Sequence, residues 1–212
     1  SFPMAITPSH PDYLKLKVLN NIMGAGGFAS RLMQNLREDK AYTYGCYSRM
    51  NVTEDGSWLS AGGNFRNEVT DSAITQILLE LDKIVDDYVT DKELDLAKSS
   101  MAGSFGRSLE RPSTIARFAL SIIRYDLPKD YYQTYLKQLE GITKQDLLDV
   151  AQKYWTGSNC NIVVVGNDEV VPTLGKFDTD GTIERLDAFG NEKIEKVPSD
   201  LTADEILANY LS

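Results

Sequence analysis

From Glu68 to about Trp155 the chain reads as helix almost without interruption, and strand-like segments occur only before and after that block. This order excludes strand–helix alternation, and with it a doubly wound parallel sheet. "EVTDSAITQILLELDKIVDDY" is amphipathic at helical spacing, and Thr90-x-x-Glu93 opens the next helix as a capping box. Arg111-Pro112-Ser113 starts a shorter helix, two more follow, and Thr143 caps the last. Ahead of the block lie "SFPMAI", a helix at Asp12–Met23, a second helix in "ASRLMQNLRED", and alternating strand residues on either side of Asp55-Gly56, a hairpin signal. Behind it, "CNIVVVG" (Cys160–Gly166) is expected to be a buried strand, "GTIERLDAFG" a weaker strand or hairpin arm and "TADEILANYL" a short helix. The expected fold is α+β: one mixed, mainly antiparallel sheet covered on one face by helices.

Composition removes several functions. Of the 212 residues 42% are hydrophobic, and a chain of this size can bury roughly 70% of its unfolded surface without a disulfide or metal. A net charge of −9 disfavours binding to nucleic acid or to an anionic membrane surface, and no apolar run approaches the ~20 residues of a membrane helix. Cys46 and Cys160 are too few and too far apart for a disulfide framework and are expected to be small buried hydrophobes. The single histidine, His10, sits in a Pro-flanked turn, and one histidine cannot furnish a zinc ligand set. The N-terminal Ser1-Phe2-Pro3-Met4 has no leader character and reads as the start of a piece of a larger protein.

Gly24-Ala25-Gly26-Gly27-Phe28-Ala29 fits G-x-G-x-x-A, but the segment before it is a helix where a dinucleotide fingerprint needs a strand. The glycines instead end one helix and turn the chain into the next. After them, in "LREDKAYTYG", Arg37 lies near a helix end and Tyr44 at a strand start, a geometry that could bring a guanidinium and a phenol to one sheet edge. The plainer reading pairs Arg37 with Glu38 or Asp39 and packs Tyr44 in the sheet. Tyr42, Tyr47, Arg107 and Arg111 are weaker candidates, better explained by sheet packing and solvated helix ends.

These residues resemble the insulinase-like, M16-type zinc peptidases, which include the mitochondrial processing peptidases. The pattern G-x-x-x-S-R-L-x-x-x-L-R-x-x-K-x-x-x-Y runs from Gly26 to Tyr44, and the resemblance continues through the hairpin, the helix block and "CNIVVVG" to about residue 175. It implies a division of labour between similar domains, one bearing zinc on an inverted H-x-x-E-H motif, the other facing it across an enclosed chamber. H-x-x-E-H is absent here, so the chain resembles the non-zinc domain, with no metal site and no cofactor of its own. The Arg-x6-Tyr spacing of that domain falls on Arg37, implied to bind substrate, and Tyr44, implied to be catalytic.

Residues 1–175 would then form the peptidase-like domain and 176–212 a C-terminal extension. The expected function is to complete the substrate chamber of a zinc metalloendopeptidase, bind the peptide and stabilise the tetrahedral intermediate; alone the domain would be inactive. Its partners would be a peptide and a zinc-bearing M16 domain in the same parent chain or in another subunit, with no nucleic acid and no membrane insertion. The alternative is a catalytically inactive structural or peptide-binding subunit of the same fold. Tails of this kind imply an extracytoplasmic bacterial protein, periplasmic or in the cell envelope.

Overall fold

The computed structural model describes residues 1–53, 56–87, 89–155, 160–179 and 181–193. Three strands form one antiparallel sheet: β1 (Phe2–Met4), β2 (Cys46–Val52) and β3 (Ser57–Gly63), with β3 in the centre. β2 pairs along all of β3, from Cys46 opposite Gly63 to Val52 opposite Ser57, whereas β1 covers only Ser57–Leu59. Alternation gives the sheet one buried face, built from Phe2, Met4, Cys46, Ser48, Ser57 and Leu59, while Tyr47 and Trp58 turn outward.

The helices cover that buried face. The first, α1 (Tyr13–Asn20), continues as a π-helical turn at Asn21–Ala25, and a second π-helical stretch spans Met33–Asp39. Leu16, Val18, Leu19 and Met23 are fully buried beneath the sheet, and Leu32 and Leu36 join them from the second helix. The glycine break has two separate causes. A Cβ on Gly24 would lie 2.2 Å from the Ser48 backbone nitrogen, so only glycine lets this turn approach β2. Gly27 has φ +69°, where the chain reverses into the next helix.

The central block is five helices: α2 (Thr70–Asp86), α3 (Asp91–Ser108), α4 (Pro112–Arg124), α5 (Tyr131–Gly141) and α6 (Lys144–Tyr154). Thr90 and Thr143 both close capping boxes, with Glu93 and Asp146 returning to the cap N–H. α6 packs on α1 and α2, so Leu147, Val150 and Ala151 close the core from the far side. Helix α4 places the Phe118 ring against Tyr132, centroids 3.7 Å apart, and turns Leu120 and Ile123 to solvent.

Two expectations need correction. Among the described residues every strand pair is antiparallel, so the sheet is not mixed. The segment Cys160–Gly166 is not a buried strand: it is irregular and meets Ser1 at Asn161, with Val163 83% and Val165 98% exposed. The reason is pairing, which among the described residues consists of Ser1 alone. The Ser1 ammonium donates to the Asn161 carbonyl (2.6 Å) and the Asn161 N–H donates to the Ser1 carbonyl (2.8 Å).

The chain divides into two compact units, Ser1–Val170 and Val171–Ser212. In the second, the described residues include a short helix, α7 (Val171–Leu174), and one antiparallel bridge, Leu186 to Glu192, bent around Asp187. The helix expected in "TADEILANYL" and residues Glu54-Asp55 of the hairpin turn lie outside the described residues.

Candidate functional site

The corner between the second helix and β2 carries both residues singled out by spacing. The helix ends at Asp39, and the next turn is forced. Ala41 takes φ +53°, after which the Tyr42 N–H donates back to the Leu36 carbonyl (2.9 Å). That bond ties the loop bearing Tyr44 to the helical residue beside Arg37. Thr43 then braces the loop from the other side. Its hydroxyl donates to the Asn64 carbonyl at the end of β3 (2.7 Å) and accepts the Gly45 N–H (3.1 Å). A Cβ on Gly45 would lie 2.6 Å from the Tyr47 ring, so a side chain there would have to turn that half-exposed ring aside.

Between these braces Tyr44 is 96% exposed, so it is not packed in the sheet. A large aromatic side chain presented this fully, on a loop fixed at both ends, has its hydroxyl available to an incoming group. Arg37 is held differently. Its guanidinium carbon lies 4.5 Å from the centroid of the exposed Phe28 ring, and its Nε is 3.6 Å from Glu38. The expected pairing with Glu38 therefore exists, but as a long contact beside a cation–π contact. Phe28 escaped the sequence reading; its signal was a large apolar residue directly after a glycine pair, where packing cannot explain it. The Gln34 amide donates to the Phe28 carbonyl (2.6 Å) and fixes that turn.

Below the corner, Asn35 anchors the helix to α2. Its amide donates to Gln76 (3.1 Å) and to buried Glu80 (2.7 Å), and Glu80 also accepts from Lys83 (2.7 Å). One turn earlier on the same helix, Arg31 donates two hydrogen bonds to Glu93. Burial by itself would raise the Glu93 carboxyl, but Arg31, with the Thr90 N–H and hydroxyl, pulls it down to about 2.

The remaining candidates lie outside this corner or fill structural positions. Tyr42 packs against the core, Tyr47 is half exposed, Arg107 donates to Ser104 (3.0 Å), and Arg111 precedes α4. His10 accepts the Asp12 N–H through Nδ1 (3.1 Å) and meets Tyr154 edge to face, so it is a half-buried turn residue. Cys46 is wholly buried, and burial pushes its thiol up to about 12, whereas Cys160 is only partly covered. Among the described residues no three His, Cys, Asp or Glu side chains converge on a point that could hold a metal. With one histidine in the sequence, the residues present do not fit a zinc site.

These residues define an α+β domain with an arginine and a tyrosine on one braced corner and, among the described residues, no metal-ligand cluster. The M16 resemblance is shown over the first part of the chain: residues 1–101 match the family described as "Peptidase M16 inactive domain". The chain is 39% identical over 102 residues to the uncharacterized zinc protease YmxG of Bacillus subtilis (strain 168), a match covering 48% of this chain and 24% of that one. It is 27% identical over 169 residues to the non-peptidase homolog YmxG of Helicobacter pylori (strain ATCC 700392 / 26695), covering 78% and 38%. Among solved structures, the peptidase M16 inactive domain from Pseudomonas fluorescens superposes with a TM-score of 0.65 at 27% identity, over 71% of this chain and 36% of that one. The chain thus spans between 24% and 38% of the length of these relatives.

Proposed function

We propose that this chain is the non-zinc partner domain of a zinc metallopeptidase, completing a substrate chamber whose metal is held by another domain. The partner domain lies in the same parent chain or in a second subunit, and the substrate is a peptide. The observation that carries this reading is Tyr44: 96% exposed, yet held on a loop tied to the helix of Arg37 on one side and to β3 on the other. Hydrolysis of a peptide bond builds negative charge on the carbonyl oxygen. A phenol O–H that reaches this oxygen stabilises the transition state more than the ground state. Arg37 donates to a neighbouring carbonyl of the peptide and fixes its register, while Phe28 holds the guanidinium in place.

Peptide hydrolysis by the parent assembly, comparing wild type with Tyr44→Phe at equal zinc occupancy, tests this. The expected result is a fall in kcat of about a hundredfold. Unchanged turnover sinks the catalytic role of the phenol. One observation favours a second reading, an inactive structural or peptide-binding subunit: the Helicobacter pylori relative is described as a non-peptidase homolog. On that reading the wild-type assembly, loaded with zinc, cleaves no peptide. The C-terminal extension supports a periplasmic or envelope location, which fractionation of the producing cell tests.

A further inference from the structure

The bonds that shape the Arg37–Tyr44 corner start at Asn35 and Leu36. The Asn35 carbonyl accepts the Lys40 N–H (2.9 Å), an i→i+5 bond that spans Arg37 and ends the π-helical stretch. The Leu36 carbonyl accepts the Tyr42 N–H (2.9 Å), which begins the loop to Tyr44. Where Asn35 and Leu36 are held, the guanidinium and the phenol are therefore held relative to one another. π-Helical turns are rare and short, so a stretch from Met33 to Asp39 calls for a hold from outside the helix.

Glu80 on α2 supplies it. This residue is only 6% exposed, and its Oε1 accepts from Asn35 Nδ2 (2.7 Å) and from Lys83 Nζ (2.7 Å). Packing alone does not account for a carboxylate here, because an apolar side chain of similar size would fill the space without the cost of desolvating a charge. Lys83 does not account for it either: its side chain is 51% exposed and water can serve its ammonium. The carboxylate also decides which way the Asn35 amide points. Reversed, Oδ1 would face Glu80 oxygen to oxygen, so Nδ2 is turned to the carboxylate. Oδ1 is thereby left buried with no hydrogen-bond partner among the described residues, a cost that the Glu80 bond has to offset.

We infer that Glu80 is a positioning residue: through Asn35 it holds the π-helical turn in place and so sets Arg37 against Tyr44. Buried beneath the corner, it meets no peptide itself. Its effect on the peptide rests on the function proposed above, whereas its effect on the turn does not.

The test uses the parent assembly loaded with zinc. Glu80→Leu fills the site without accepting a hydrogen bond, and Glu80→Gln keeps an acceptor for Asn35. Asn35→Ala removes the same bond from its other end, so the contact is still read if one variant folds poorly. Amide exchange is followed at Lys40 and Tyr42, with the β2–β3 ladder as internal reference. Glu80→Leu and Asn35→Ala are expected to speed exchange at both amides by about tenfold or more, and Glu80→Gln by less than about threefold. In peptide hydrolysis Glu80→Leu should raise KM by about fivefold or more in the wild type but by less than about twofold in Arg37→Ala. A residue that acts through Arg37 has nothing left to position there.

Exchange at Lys40 and Tyr42 that is unchanged, or faster only in step with the reference ladder, overturns the inference. So does an effect on KM that adds to that of Arg37→Ala. Glu80→Gln as impaired as Glu80→Leu overturns it too, assigning the site to charge rather than to the Asn35 bond. An unchanged KM in Arg37→Ala would instead sink the proposed role of Arg37, and exchange alone would then decide whether Glu80 holds the turn.

Discussion

Arg31 and Glu93, 62 residues apart, are joined by two hydrogen bonds, Nε to Oε1 at 2.6 Å and Nη2 to Oε2 at 3.0 Å. The same Glu93 carboxylate accepts the Thr90 N–H (2.8 Å) and closes the cap of α3. One carboxylate thus ties the helix after the glycine break to the first turn of α3. Both side chains are mostly buried, at 16% and 25% exposure, so the pair escapes most solvent screening. Arg31→Ala is expected to cost about 1–3 kcal/mol, and Glu93→Ala more, since it also removes the cap. Urea unfolding of the two variants checks the order.

Acid should weaken the domain through two carboxylates. Burial would raise both, yet Arg31 and Thr90 hold Glu93, and Lys15 and Thr143 hold Asp146, at about 2. A carboxylate depressed in the folded state contributes stability that is complete above its unfolded value, roughly 4.3 for Glu and 3.9 for Asp. That contribution is lost as pH falls through the folded value. Unfolding free energy should therefore decline from about pH 5 towards pH 2. In Glu93→Gln/Asp146→Asn the decline over that window should be shallower, as measured by denaturant titration at each pH.

What the sequence revealed and what it hid divide along the range of the interactions. The helices from α2 to α6 were legible because amphipathic spacing and the boxes at Thr90 and Thr143 are local signals. The Cys160–Gly166 segment misled because β-branched residues report suitability for a strand, whereas a strand forms only where an edge is offered. The role of Arg31 leaves no local signal because its partner lies 62 positions on. The Arg37–Tyr44 spacing was visible, but not the braces at Leu36, Thr43 and Asn64 that set the loop.

The glycines at the break should differ in how they fail. At Gly24 a methyl group would meet the backbone of β2, with the Ser48 nitrogen at 2.2 Å and the Tyr47 carbonyl carbon at 2.8 Å. Neither can move without breaking the sheet, so Gly24→Ala should cost about 1–3 kcal/mol or more. Gly27 has open space around it, and its φ of +69° alone sets the cost of Gly27→Ala, about 1–2 kcal/mol. Shortening the β2 side chains, as in Ser48→Ala, should leave Gly24→Ala unrescued, because the clash is with main chain. Stability measurements on the single and double variants check this.

Ala41 offers the opposite case. It holds φ +53° where the helix turns into the Tyr44 loop, a position that glycine fills without strain. Ala41→Gly should stabilise the domain by about 0.5–1 kcal/mol, the left-handed penalty less the greater chain entropy of glycine. Denaturant midpoints with an unchanged m-value are the check.

The last prediction concerns the grip on Arg37. Its guanidinium lies over Phe28 at 4.5 Å, and Glu38 lies 3.6 Å from its Nε. Removing the ring in Phe28→Ala leaves Glu38 as the remaining contact of the two and draws the guanidinium towards it, away from the peptide. On the proposed function this loosens substrate binding without touching the phenol of Tyr44. The parent assembly should show KM raised by about five- to tenfold, with kcat changed less than about twofold. Phe28→Tyr, which keeps an aromatic face, should restore KM, whereas Phe28→Leu, which keeps apolar bulk without a π face, should not. Equal rescue by both variants would assign Phe28 to packing and leave Arg37 oriented by Glu38 alone.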